Sequence, residues 1–495
     1  MFIILTYAIT IIIKGVKMFW LILLVAFAAS CILVYLFKDK LTLKHGLVEG
    51  SIVGGILRFS LPLFVGNIFQ QFTSFTSAMI VGQNLGSRSV AVMGQANMVY
   101  FFLVSLAIGL ALGIGILVAQ NFGAKRWQQL NDIIGTGYLF TIAIALVITI
   151  VGITFTPQIL SWLGTSPEIV PMAIVYLRIF FVGTIFSFGY NAIASVLRGV
   201  GDSITPLIFL IVAAGVAVGF NLLFIVVFGL GIGSVAVATV LSQAVACFGV
   251  IIYSRTLSDS YLHVRFRQLR FNAKAFGTIL YLGLPSGLQQ SLITLSVLVL
   301  VRLVNAHGLE AAAAYSAIVI IDGFVGLPAM TLAMAASTFV GQNLGAGQLQ
   351  RITKGVNYTS FILIAFVGFV CYAIIIPFRY AILGLFIPAH ETEVLRIGAG
   401  FFITVAWFYP LVGLMFIFNS ALRGLGMAIT SLLLSLTVLV GFRIPIAHFF
   451  DNRFGLVGVW AVYPTTWALG LITNFIVWKL TDIKKIYHKL QMAKS

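Results

Sequence analysis

Apolar stretches long enough to cross a bilayer recur along the whole chain, near residues 18–37, 59–82, 90–118, 133–155, 171–194, 205–228, 232–253, 276–303, 311–340, 357–377, 398–420, 429–449 and 455–478. Lipid offers no partner to a bare peptide group, so spanning segments must be helices or a closed barrel. The runs are unbroken rather than alternating, which predicts helices. The first run stands apart from the other twelve. It is followed by Lys38-Asp39-Lys40 with no small-residue cleavage site, and so reads as an extra anchor helix. Composition agrees: of 495 residues 61% are apolar and only 8% charged, a balance that requires lipid as the main solvent.

The formal charge of +17 changes the picture only through its distribution. With the segment at 59–82 entering from the cytoplasm, 20 of the 29 basic residues fall on the inner side, among them Lys125, Arg126, Arg198, Arg265, Lys354, Arg423 and Lys484. This is the positive-inside bias of a membrane protein and not a nucleic-acid footprint. The longest polar connection, from Ser254 to Lys274, lies on that same side and reads as a linker. Cys31, Cys247 and Cys371 all sit in apolar runs without metal-ligand spacing, so they predict neither disulfides nor a redox centre.

The linker joins two copies of one pattern. "LPLFVGNIFQQ" from Leu61 is echoed by "LPSGLQQSL" from Leu284, and "VAQNFGAK" from Val118 by "VGQNLGAG" from Val340. "SVLRGVGDSITP" from Ser195 returns as "SALRGLGMAITS" from Ser420, and "GSVAVA" from Gly233 as "GVWAVY" from Gly458. The offsets stay within 222–225 residues, the signature of duplication. Six helices per half is an even number, so both halves enter the membrane the same way, related by an axis along its normal. The expected fold is an all-α polytopic membrane protein of two six-helix lobes plus one extra N-terminal helix. Its parts are an extension at 1–46, lobes at 47–254 and 276–480, a cytoplasmic linker at 255–275 and a basic cytoplasmic tail at 481–495.

Several residues carry structural expectations. Gly109 and Gly113 form a small-xxx-small stripe for close helix packing, with Ala335 equivalent to Gly113. Gly123 and Gly345 can supply helix-ending conformations, and Arg198 and Arg423 can bond terminal carbonyls or lipid phosphates. Polar groups at mid-membrane depth are the sharper signal, because each costs free energy in lipid and so faces a cavity or a partner. Asp322 is the one acidic residue deep in a span, and can take up a proton, bind sodium, hold a cationic substrate or pair structurally. Around it the candidate cavity residues are Asn67, Gln70, Gln71, Ser74, Ser77, Asn221, Thr239, Gln243, Gln289, Gln290 and Arg443. Arg443 is the strongest candidate partner for Asp322 or for an anionic group. Some of the others must simply bond neighbouring helices.

The order, spacing and doubling of "GSIVGGILRFSLPL", "LVAQNFGAK", "YLRIFFVG", "ASVLRGVGDSITP", "FRIPIAHFF" and "GLVGVWAVYPTTW" resemble the multidrug and toxic compound extrusion (MATE) family, from about Leu47 to Leu480. The resemblance implies a V-shaped two-lobe exporter driven by an inward proton or sodium gradient, with organic cations as common substrates. It also marks departures. Where many relatives carry an aspartate late in the first helix, in a string like "LVDTIFVG", this chain reads "FTSAMIVG" with Ser77. An Asn and Asp four apart in the fifth helix of relatives correspond to Ala217 and Asn221, and an Arg two residues before the equivalent of Asp322 is here Ile320. The first-lobe carboxylates of the family are therefore missing, and Asp322 is left as the seat of ion coupling.

Catalytic chemistry is not legible. There is no GxxxxGK loop for a nucleotide, the six histidines are scattered, and no His/Cys/Asp cluster has metal spacing. The chain thus reads as a non-enzyme with no cofactor beyond a proton or sodium gradient. Its expected partners are a small-molecule substrate and the lipid bilayer, with no nucleic acid; it is expected to act as a monomer in a bacterial inner membrane. A flippase for a lipid-linked precursor is the rival of the same shape. It would require a markedly cationic central cavity, where the sequence offers Arg443 and Arg302. A membrane enzyme or scaffold is the third reading, disfavoured by the missing clusters. The loop from Ser254 to Lys274 and the C-terminal tail together hold nine of the 29 basic residues, so reporter fusions at both should read cytoplasmic. A periplasmic reporter active at either place would break the arrangement of two parallel halves.

Overall fold

The computed structural model describes residues 46–162, 165, 167–254 and 270–492. The anchor helix expected at 18–37, Cys31 and most of the linker lie outside the described residues. Within them the chain is helical, with no strand. Twelve rods correspond to the twelve apolar runs of the repeat. The first half holds α1 (Ile52–Gly86), α2 (87–123), α3 (Trp127–Trp162), α4 (Val170–Val182 and Thr184–Val200, bent by 43°), α5 (Ile204–Val227) and α6 (Gly233–Ser254). The second holds α7 (Ala273–Ala306), α8 (Leu309–Gly345), α9 (Leu349–Leu383), α10 (Thr392–Gly424), α11 (428–454) and α12 (456–480). A short amphipathic helix, α13 (Ile483–Met492), ends the described chain.

Two of the joints depend on glycine. Between α1 and α2 the chain turns at Gly86 (φ 79°, ψ 174°), and between α11 and α12 at Gly455 (φ 61°, ψ −145°), conformations that a Cβ resists. The rods outrun the apolar runs because a helix need not stop where the lipid does. At 1.5 Å per residue the 37 residues of α8 reach about 55 Å, well past a hydrocarbon core of about 30 Å.

Each lobe buries its own core, but the lobes trade entering helices. Leu47, just before α1, and Ile56 and Phe59, at its start, pack into the second-lobe cluster of Ala336, Phe339 and Val340. Ile279 and Leu282, the residues of α7 equivalent to Ile56 and Phe59, pack into the first-lobe cluster with Ile114, Ile133 and Val196. The exchange occurs at the basic end of the bundle, which carries Lys125, Arg126, Arg198, Arg351 and Arg423. All three ion pairs among the described residues, Arg88–Glu168, His307–Asp451 and Glu393–Arg396, sit at the other end.

The seam between lobes is built on glycine. A Cβ on Gly109 would stand 2.0 Å from the Gly287 backbone nitrogen, and one on Gly113 2.7 Å from that of Gly283, so α2 and α7 meet backbone to backbone. The small-residue stripe thus serves contact between the halves. Closer still to the basic end, a Cβ on Gly123 would lie 1.9 Å from the Gln342 carbonyl oxygen, and one on Gly345 2.0 Å from that of Gln120. This corrects the expectation that these two glycines end helices: both stay helical, and the left-handed positions just beyond them are Lys125 (φ 55°) and Gly347 (φ 73°).

Both glutamines of the paired "QN" turns reach across the seam. Gln120 Nε2 donates to the Gly424 carbonyl at 2.9 Å, and Gln342 Nε2 to the Gly199 carbonyl at 2.7 Å. Gln342 Oε1 also accepts from the Leu47 backbone N–H at 2.6 Å, tying down the approach to α1. The terminal carbonyls of α4 and α10 are therefore satisfied from the opposite lobe. Below the seam α13 spans both halves: Ile483, Ile486, Tyr487 and Leu490 pack on the second-lobe core, and Gln491 accepts from Arg126 of the first lobe. The segment expected as a basic tail is a docked helix.

These bonds add to the packing that holds the basic end shut. Changing Gln120 and Gln342 together to Ala removes two cross-lobe bonds, each worth about 0.6 kcal/mol in a membrane protein. Spin labels at exposed Lys125 and Lys354, in a background without the native cysteines, should then show a second, longer distance. A distribution identical to that of the parent would mean the glutamines do not hold the closure.

Candidate functional site

Most of the candidate residues fall in three of the cavities among the described residues. The first lies inside the first lobe, encloses about 660 Å³ and is lined by Gln70, Ser74 and Ser77 of α1, Asn97 and Tyr100 of α2, Tyr176 and Tyr190 of α4, and Thr239, Ser242 and Gln243 of α6. It has no charged side chain in its wall. At its depth Asn221, fully buried, donates to Ser77 Oγ at 3.0 Å, while Asn221 Oδ1 has no partner. The structure thus brings together Gln70, Ser74, Ser77, Thr239 and Gln243, with Asn221 immediately behind.

The other candidates go elsewhere. Asn67 donates to Thr331 of α8 at 3.2 Å and is a seam residue. Gln71 faces α8, its Nε2 3.2 Å from where a Cβ on Gly323 would stand. Gln290 lines a central cavity between the lobes, about 250 Å³. Gln289 lines both that cavity and its neighbour in the second lobe, donating to Asn419 Oδ1 at 2.8 Å and to Ser435.

The second-lobe cavity also encloses about 250 Å³, and here Asp322 of α8 and Arg443 of α11 share one wall with Tyr409, Tyr463, Trp467 and Asn474. The expected pairing of Asp322 with Arg443 does not form. Asp322 Oδ1 accepts from the Tyr409 hydroxyl. Arg443 donates to Ser296 Oγ at 3.1 Å and to Thr466 Oγ1 at 3.4 Å, and its guanidinium lies 5.4 Å from the Tyr463 ring centroid. Hydroxyls from α7 and α12 and an aromatic face thus occupy the guanidinium. The Tyr463 hydroxyl is in turn bonded to that of Tyr315 at 2.6 Å. Arg302, the other arginine expected centrally, is exposed near the far end of α7.

Sequence reasoning missed the tyrosines. Tyr409, Tyr463 and Tyr315 assemble the surroundings of Asp322, and Tyr100, Tyr176 and Tyr190 shape the first-lobe cavity. The signal was present: a tyrosine inside an apolar span carries a hydroxyl that needs a partner. Which face of each helix looked inward was not readable from spans apolar all round.

The geometry of two like lobes facing each other across a seam can be set beside known proteins. The MatE family profile matches residues 62–223 and again 285–449, once in each half. The probable multidrug resistance protein YoeA of Bacillus subtilis (strain 168) is 31% identical over 441 residues, covering 86% of this chain and 94% of its own. The multidrug export protein MepA of Staphylococcus aureus (strain NCTC 8325 / PS 47) is 23% identical over 440 residues, covering 88% and 95%. An outward-facing multidrug resistance MATE transporter of the MOP superfamily matches with a TM-score of 0.84 at 22% identity, over 90% of this chain and 99% of that one. A MOP superfamily transporter from Pyrococcus furiosus with a binding pocket of reverse polarity has the same fold, with a TM-score of 0.84 at 21% identity. A profile that falls on both halves, joined to a relative matched along nearly its whole length, places this multi-pass membrane protein in the MATE family of multidrug efflux transporters.

Proposed function

We propose that the chain is a monomeric secondary active exporter of a bacterial inner membrane, moving small amphipathic organic compounds outward by alternating access in exchange for protons or sodium. The observation that carries this reading is the setting of Asp322. It lines a second-lobe cavity, has only the Tyr409 hydroxyl as a bonded partner, and no cation lies within ion-pair distance among the described residues. A carboxylate so placed can gain and lose a cation as the cavity opens to one side or the other. Gln289 and Asn419 line both this cavity and the central one, so a change of charge at Asp322 is felt at the seam.

The first-lobe cavity supports the substrate half of the proposal. Its 660 Å³ falls within the range of about 300–1,000 Å³ typical of small-molecule sites. Its hydroxyls and amides suit an amphipathic guest through hydrogen bonds and ring contacts. Strongly cationic guests would find no carboxylate there. The names of the relatives, multidrug resistance and export proteins, favour export of foreign compounds over movement of a lipid-linked precursor.

Asp322→Asn keeps size and much of the hydrogen bonding while removing the charge. Dye efflux from vesicles under a proton or sodium gradient should fall at least about tenfold, roughly 1.4 kcal/mol in barrier terms, with the protein still inserted. Full gradient-dependent efflux by this variant would make Asp322 structural. Ser77→Asp should add a first-lobe carboxylate able to accept from Asn221 Nδ2, and with it a new pH or sodium dependence of transport. Unchanged dependence would show that this position does not communicate with the transported ion.

A further inference from the structure

The "LRG" turn occurs twice, at 197–199 and 422–424, and closes α4 and α10. An arginine in the last turn of a helix is ordinarily explained by that helix's own terminal carbonyls. Here the carbonyls of Gly199 and Gly424 are bonded by Gln342 and Gln120 from across the seam. The guanidiniums turn back instead: Arg198 Nη2 donates to Ser195 Oγ at 2.9 Å, and Arg423 donates to Ser420 Oγ and, at 3.4 Å, to Gln289 Oε1. Arg423 Nε is buried without any partner.

Both arginines line the central cavity, and no Asp or Glu stands in its wall. Neither takes part in an ion pair among the described residues. Each guanidinium has five N–H donors, and the protein uses one or two. Two cations sharing one cavity at the basic end of the bundle, without a counter-charge, are costly to bury unless an anion joins them. Phe101, Ile108, Leu112, Ile293, Met330 and Phe416 add apolar surface to the same wall. The cavity therefore joins two cations to apolar surface. At about 250 Å³ it fits a head group and the first part of a chain rather than a whole drug-sized molecule.

We propose that the central cavity binds an oxyanion group, a phosphate, sulfonate or carboxylate, carried on an amphiphile that the protein exports, with Arg198 and Arg423 gripping the group from the two lobes. The planar fork of each guanidinium matches two oxygens at once. Because one arginine comes from each half, the anion would bridge the lobes at the foot of the seam. The exported part of the statement rests on the proposed function. The binding part does not.

Radiolabelled octyl phosphate, octyltrimethylammonium and inorganic phosphate provide the test, with the full chain in nanodiscs and no gradient applied. Octyl phosphate should bind saturably and octyltrimethylammonium should not. Arg198→Gln and Arg423→Gln should each weaken octyl phosphate by about tenfold or more, as expected for loss of a charged hydrogen bond. Arg→Lys at either site should lose less. Ser337→Asp leaves both arginines in place while adding a carboxylate to the wall, and should abolish binding even where an arginine variant does not fold. Octyl phosphate binding unchanged in folded glutamine variants and in Ser337→Asp, or preferential binding of octyltrimethylammonium, would overturn the proposal. Displacement by inorganic phosphate at similar concentration would overturn the amphiphile and leave a free-anion site. Nanodisc binding without any gradient-driven transport in vesicles would overturn the export reading while the site stands.

Discussion

Where α2 and α8 cross at the basic end, backbone meets backbone: Gly123 rests on the Gln342 carbonyl and Gly345 on that of Gln120, closer than any side chain allows. This reciprocal contact orders what surrounds it. It brings each helix end within reach of the other lobe, so the glutamines one turn back can bond the carbonyls that end α4 and α10. With those carbonyls satisfied, Arg198 and Arg423 are released from capping and line the space above. The same crossing sends the start of α1 into the second-lobe core and that of α7 into the first. A pair of glycines thus fixes closure, helix exchange and the charge of the central cavity together.

The duplication that made this seam symmetrical did not keep the lobes alike. Ser77 and Asn221 sit deep in a first-lobe cavity with no charged side chain in its wall. The second lobe has closed around Asp322 and Arg443 with tyrosines and tryptophans, and its cavity is less than half as large. Tyr315, Phe401, Trp460 and Tyr463 stack or meet edge to face around this polar pocket, a rigid frame for groups that would otherwise be expensive to bury. One lobe therefore has room and the other has charge.

Much of this architecture was legible in the chain. Four echoes at a constant offset gave the two halves, and the apolar runs gave the rods, because both follow from local composition. Cross-lobe packing was not legible: Ile56 and Ile279 look like ordinary members of their own halves, and nothing local says that each is buried in the other. Gly123 and Gly345 were visible as glycines, but a glycine needed for φ and one needed for close approach look identical in a sequence. Arg443 was expected to pair with Asp322 because opposite charges in lipid attract. The hydroxyls of Ser296 and Thr466 compete for the guanidinium at short range, and their position depends on helix rotation that hydropathy does not encode.

The sizes of these interactions bear on how such a seam would open in the proposed cycle. Moving a two-state equilibrium from 1:99 to 99:1 takes about 5.5 kcal/mol of differential binding. The glutamine bonds contribute about 0.6 kcal/mol each in a membrane setting, too little to lock the seam alone. Most of its closure must come from the glycine-mediated packing of α2 on α7 and on α8, which is lost all at once when the helices part. Against that, in the proposed cycle, stands the gain and loss of a cation at Asp322. Gln289 and Asn419 line both its cavity and the central one, which sets the charge on this one carboxylate beside the seam. In the proposed cycle a single carboxylate in one lobe would act for a transporter whose other cavity has none, provided that the contact between lobes is a close but shallow one.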